Sequence, residues 1–169
     1  FFYHHVIKCF FFNAVTLYVC KTKTVYQLMD ILPGNNKNFQ PAASHTLHVL
    51  LAEDNLLLQQ AIKIVLLQKG FKVSVAKNGK QAVELLQQQQ IDVVLMAINM
   101  PVMDGVEATQ AIRLFNKYTP IIAFTSYDET SMLQHIKKAG MNGFLSKYAS
   151  PEHIYETIMQ HISDVKQNA

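Results

Sequence analysis

Ile91-Asp-Val-Val-Leu-Met-Ala97-Ile-Asn99-Met-Pro101-Val-Met-Asp104-Gly105 joins an apolar run to a loop punctuated by proline and glycine. Residues 91–96 read as the most apolar of the strand-like runs. They lack the in–out alternation of a half-exposed strand, so they are expected at the centre of a sheet covered on both faces. Asp104-Gly105 reads as a turn ahead of a helix over about 106–117.

Outward from this stretch the hydrophobic period switches repeatedly. Residues 47–52 read as a strand, and 55–69 have helical spacing that stops at Gly70, a residue suited to the position past a helix end. Residues 71–75 alternate as a strand, and Asn78-Gly79 leads into a helix through about 89. Pro120 opens a strand to Thr125, residues 128–138 are helical up to Gly140, and Phe144 to Ser146 sit in a fifth strand. Ser150-Pro151-Glu152 reads as an N-cap, a first-turn proline and a first-turn acid, opening a last helix to about residue 164. Five strands alternating with five helices make an α/β fold with a parallel sheet. In such sheets ligands bind beyond the carboxyl ends of the strands, where the strand order reverses.

Composition narrows the function classes. The 169 residues are 50% hydrophobic, with a formal net charge of +3. Lys8, Lys21, Lys23 and Lys37 face only Asp30 in residues 1–45, leaving eleven bases and eleven acids in the remainder. A neutral body with dispersed N-terminal lysines lacks the basic footprint of a nucleic-acid binder. Cys9 and Cys20 fit no zinc or redox spacing, and a cysteine-free body suits the cytoplasm. Lys8 and Lys21 bracket an apolar stretch too short for the ~20 residues of a membrane span. The chain starts at Phe1 and reads as a fragment of something longer. The seven histidines have no metal-ligand spacing. The four glutamines at 87–90 read as a solvated helix end.

The strand ends supply the chemistry. Glu53 and Asp54 follow strand one, Ala97 and Asn99 sit at strand three, Thr125 and Ser126 end strand four, and Lys147 follows strand five. Adjacent acids suit a divalent cation, while a hydroxyl and an ammonium suit phosphoryl oxygens. The set has no nucleophile at its centre. No phosphate-binding glycine- or hydroxyl-rich loop follows strand one, which argues against a flavin protein.

Leu-Leu-Ala-Glu53-Asp54-Asn55, Val-Leu-Met-Ala97-Ile-Asn-Met-Pro101-Val-Met-Asp-Gly105, Pro-Ile-Ile-Ala-Phe-Thr125-Ser and Gly143-Phe-Leu-Ser-Lys147 resemble response regulator receiver domains of two-component signalling. The style is that of receivers fused to hybrid histidine kinases, and the resemblance spans about residues 47–162. It implies a flavodoxin-like, doubly wound sheet of order 2-1-3-4-5 and a non-enzymatic phosphorelay module. It also implies that Glu53, Asp54 and the Asn99 backbone carbonyl place Mg²⁺, that position 97 holds the phosphate-accepting aspartate, and that Thr125, Ser126 and Lys147 line the phosphate pocket. Thr125 and Phe144 would be the switch residues. Partners would be a histidine kinase or a histidine phosphotransfer domain, with dimerisation through the fourth and fifth helices and fifth strand as a further family habit.

Three positions depart from that pattern. Ala97 can neither attack phosphorus nor ligate metal, and alternation turns Met96 and Ile98 away from the site. Mg²⁺ binding should therefore be weakened. Tyr148 follows Lys147 where the family has a cis proline; a cis bond before a non-proline costs ~2.5–4 kcal/mol, so a trans bond is expected. Tyr127 stands where small residues are common and is expected to narrow the pocket. Two readings follow: a degenerate receiver that regulates by binding, or an ordinary phospho-accepting receiver inactivated by an Asp-to-Ala change. Glu53, Asp54 and Lys147 could also persist as a structural charge cluster.

The first helix has more apolar residues than one buried face requires. Leu57, Ala61 and Val65 are expected in the core, leaving Leu58, Ile62 and Leu66 as an outward stripe for a partner or for the N-terminal segment. Residues 1–32 form an N-terminal extension, 33–46 a linker signalled by Pro33-Gly34, and 47–165 the receiver. Residues 24–33 faintly resemble the last strand of a histidine-kinase ATP-binding domain; the alternative is a loosely packed extension.

Overall fold

Apolar runs at 49–52, 93–97 and 121–124 give three strands with no exposed side chain. In the computed structural model, which describes residues 45–126, 134 and 136–167, they form the middle of one sheet. The strands are β1 (His48–Ala52), β2 (Lys72–Ala76), β3 (Val93–Ala97), β4 (Ile121–Thr125) and β5 (Gly143–Ser146). All neighbours are parallel and the order is β2-β1-β3-β4-β5, as the resemblance implied. The helices are α1 (Leu56–Gln68), α2 (Gly79–Gln88), α3 (Gly105–Phe115), α4 (described over 136–139) and α5 (Pro151–Gln167). The expected extension, nearly all of the linker, both cysteines, the kinase-like stretch at 24–33, Tyr127 and most of the helix expected at 128–138 lie outside the described residues.

Strand alternation sorts the buried side chains into two cores. Val49, Leu51, Val93, Leu95, Ile122 and Phe124 face α1 and α5, which contribute Ile62, Leu66, Ile154, Ile158 and Ile162. Leu50, Ala52, Val94, Met96, Ile121 and Ala123 face the other way, against Ala82 and Leu86 of α2, Ala108 and Ile112 of α3, and Ile136 of α4. Each fully buried aliphatic side chain contributes about 1.5–3 kcal/mol relative to exposure, so the two layers drive the fold.

Local signals start and stop the helices. Asn55 Oδ1 accepts from the Leu57 and Leu58 amides, each at 3.1 Å. Phe71 N donates to Leu66 O at 3.1 Å, closing α1 around Gly70 at φ 86°. Asp104 and Glu107 form a reciprocal capping box on α3. Ser150 Oγ accepts from His153 N at 3.2 Å, the expected cap of α5.

One sequence expectation is corrected. Leu58, Ile62 and Leu66 are not an outward stripe: Ile62 and Leu66 are buried and Leu58 packs against the same core. Leu57, expected inside, is 85% exposed, Ala61 is exposed, and only Val65 of that trio packs inward. The outward face of α1 instead carries Leu56, Leu57, Ile64 and Leu67. With apolar residues on both sides, spacing alone leaves the phase of the helix undetermined. Gln59 fixes it, because its buried amide donates to Glu53 O at 2.8 Å and Ala76 O at 3.1 Å.

The opposite end of the sheet, away from the strand carboxyl ends, is clamped by His48. Its Nδ1 lies 2.9 Å from Gln90 O, its Nε2 lies 2.9 Å from Ser74 Oγ, and its amide donates to Asp92 Oδ2 at 2.7 Å. The carbonyl can only accept, so Nδ1 carries a proton. Burial pushes the imidazole below its ordinary value of 6.5, a lowering that the Gln90 carbonyl partly opposes. Ser74 Oγ in turn donates to Gln89 Oε1 at 2.7 Å, so the contact continues to the end of α2. A histidine lowered in the fold binds its proton more readily when unfolded. Its contribution is therefore complete above pH 6.5 and is lost as pH falls below that value and through the folded pKa. Urea unfolding across this window should show stability dropping on acidification, and His48→Gln should flatten that slope.

Candidate functional site

The switch in strand order falls between β1 and β3, and the residues at their carboxyl ends share a crevice with those of β4 and β5. Glu53 directly follows β1. The register Ala52↔Met96 brings it level with Ala97, the last residue of β3. Thr125 ends β4 opposite Ser146, and Lys147 is the next residue after β5. Lys147 N donates to Thr125 O at 2.8 Å, extending the β4–β5 ladder by one bond.

Glu53 is fully buried. Its amide donates to Ala76 O at 3.0 Å and its Oε1 accepts from Asn55 N at 3.1 Å. Its Oε2 lies 2.7 Å from Lys147 Nζ, off the hydrogen-bonding direction, and has no hydrogen-bond partner among the described residues. The contact is thus an ion pair rather than an aligned hydrogen bond. Lys147 Nζ also stands 5.8 Å from the centroid of the Phe124 ring, a favourable cation–π placement.

The remaining site residues divide by exposure. Ala97 and Thr125 are buried, Phe144 is half-buried against the α2–α4 core, and Asp54, Asn99 and Ser126 are exposed. Met96 and Ile98 point into the α2–α4 core, as alternation required. The Lys147–Tyr148 bond is trans, and Tyr148 is exposed. Among the described residues no three His, Cys, Asp or Glu side chains gather as a metal site.

Two features of the β3–α3 loop shape the crevice beyond what the sequence signals suggested. Gly105 N donates to Ile98 O at 2.7 Å, and a Cβ at this residue would collide with the Ala97 carbonyl. Only glycine allows α3 to start so close to β3. Val102 has φ 72°, and Met103 N donates to Pro101 O at 2.8 Å across it. That is the strained, rare form of the γ-turn, held by a β-branched residue. Val102 is 80% exposed, so it has little packing to lose. Val102→Gly should raise unfolding stability by about 1 kcal/mol in urea titration, whereas Val102→Ala, which keeps a Cβ, should gain less.

Comparisons with known proteins agree with this geometry. Residues 49–159 match the response regulator receiver domain family. The chain is 36% identical over 121 residues to transcription factor SKN7 of Candida albicans, covering 72% of this chain and 22% of that protein. It is 35% identical over 165 residues to hybrid signal transduction histidine kinase I of Dictyostelium discoideum, covering 83% of this chain and 10% of that protein. It therefore spans a quarter or less of the length of these relatives. Among solved structures, the Mg²⁺-bound receiver domain of sensor histidine kinase PA1611 from Pseudomonas aeruginosa PAO1 superposes with a TM-score of 0.66. That pair shares 32% identity and covers 70% of this chain and 98% of that one. The parallel sheet of order β2-β1-β3-β4-β5, the residues at its strand ends and the family match together establish that this chain belongs to the response regulator receiver family of two-component phosphorelay signalling.

Proposed function

We propose that this receiver is degenerate: it regulates a histidine kinase or phosphotransfer partner by binding it, without accepting phosphate at position 97. The observation that carries the reading is Ala97 itself. It is fully buried at the end of β3, level with Glu53, and its methyl group offers no oxygen where the receiver motif has the phosphate-accepting aspartate. Thr125 and Phe144, the switch pair of a phospho-accepting receiver, then have no phosphoryl group to respond to. Mg²⁺ binding through Glu53, Asp54 and the Asn99 carbonyl is weakened for the same reason, since one carboxylate ligand is gone.

A surface suited to a partner persists. The outward face of α1 presents Leu56, Leu57, Ile64 and Leu67 at 58%, 85%, 54% and 50% exposure, with the half-buried Lys63 at its edge. An exposed aliphatic stripe fits the side of a helix in a phosphotransfer bundle better than it fits water. Similarity to hybrid histidine kinases supports a cytoplasmic receiver within such a protein, whose kinase activity would belong to segments beyond this receiver. Among the described residues no helix is long and apolar enough to cross a membrane.

The competing reading is a phospho-accepting receiver silenced by a single Asp-to-Ala change. Intact-mass spectrometry after incubation with acetyl phosphate and Mg²⁺ separates the two. The unmodified chain should keep its mass, and so should Ala97→Asp, because Lys147 is already engaged by the buried Glu53. Gain of one phosphoryl group by Ala97→Asp would overturn the degenerate reading in favour of the silenced receiver.

A further inference from the structure

The pocket contains one buried acid with an unusual partner. Glu53 is fully buried, and a buried carboxylate without a counter-charge is strongly destabilising. In the sheet order, two strands lie between β1, which precedes Glu53, and β5, which precedes Lys147. The lysine side chain therefore reaches across the ends of β4 and β3 to bring Nζ within 2.7 Å of Oε2.

The donor set left in the cleft does not suit Mg²⁺. That ion demands near-octahedral oxygen coordination at 2.0–2.1 Å and gives up its waters reluctantly. Ala97 offers no ligand, Asp54 is exposed, and the inner oxygen of Glu53 faces an ammonium that would repel a second cation. Charge balance points the same way. An acid at position 97 would add negative charge beside Glu53, calling for a dication. With alanine there, the buried charge is the single carboxylate of Glu53, and one ammonium neutralises it.

We propose that Lys147 serves as a tethered replacement for the divalent cation, holding Glu53 and the strand ends together without metal. This rests on the reading that position 97 has lost its phosphate chemistry, but its test uses no phosphate. Labelling of Ala97→Asp would remove that reading and leave the melting results below to be judged by themselves.

The test is thermal melting of the full chain with and without about 10 mM MgCl₂, ionic strength being matched with NaCl. The unmodified chain and Lys147→Arg, which keeps a cation, should melt at the same temperature in both buffers. Lys147→Met should melt roughly 10 °C lower without Mg²⁺, because Glu53 is then buried unpaired, and should recover at least half of that loss with it. Glu53→Gln combined with Lys147→Met removes both charges and should fold without responding to Mg²⁺. Stabilisation of the unmodified chain or of Lys147→Arg by Mg²⁺ would overturn the proposal. So would a Lys147→Met protein that Mg²⁺ neither stabilises nor, if it is unfolded alone, helps to fold.

Discussion

A carboxylate with no solvent exposure must be matched by positive charge, and Glu53 meets that requirement through Lys147 across the ends of the sheet. The pair spans the crevice. It sets where the side chain after β5 goes, and it places an ammonium beside the acid of β1. Gln59 supports the same residue from below, donating to the Glu53 carbonyl, while the Asn55 amide donates to Glu53 Oε1 and its side chain caps α1. One buried acid thus links β1, α1 and β5.

The rest of the fold keeps those strand ends in place. Three central strands bury both faces, and their alternation divides the core into an α1–α5 layer and an α2–α4 layer. Gly105 lets α3 start against the Ala97 carbonyl, and the strained turn at Val102 leads the chain there. At the other end of the sheet, His48 ties β1 to Ser74 of β2 and to Gln90 and Asp92 ahead of β3. The shape recognised by receiver partners is therefore maintained by packing and backbone constraints that do not involve phosphate.

Much of this was legible in the sequence, because period changes, glycine stops and N-caps are local. The strands, the cap at Ser150 and the turn at Asp104-Gly105 appear where local patterns put them. The facing of α1 was not legible: Leu57 and Leu58 are equally apolar, and only the contacts of Gln59 with two strand carbonyls decide which turns inward. Nor was the partner of Lys147, since a pair between residues so distant in sequence depends on strand order and side-chain reach. The buried role of His48 was hidden for the same reason, because its partners come from the neighbouring strand and a loop. Composition indicates that a histidine is present, but not that it is desolvated.

On the proposal above, the cleft of this receiver has exchanged metal and phosphoryl binding for an internal ion pair. Amide NMR spectra of the unmodified chain, recorded before and after adding Mg²⁺ together with beryllofluoride as a phosphoryl mimic, test it most directly. Resonances of Glu53, Asp54, Ala97, Asn99, Thr125 and Lys147 should stay unchanged. Saturable shifts concentrated at these residues would contradict it.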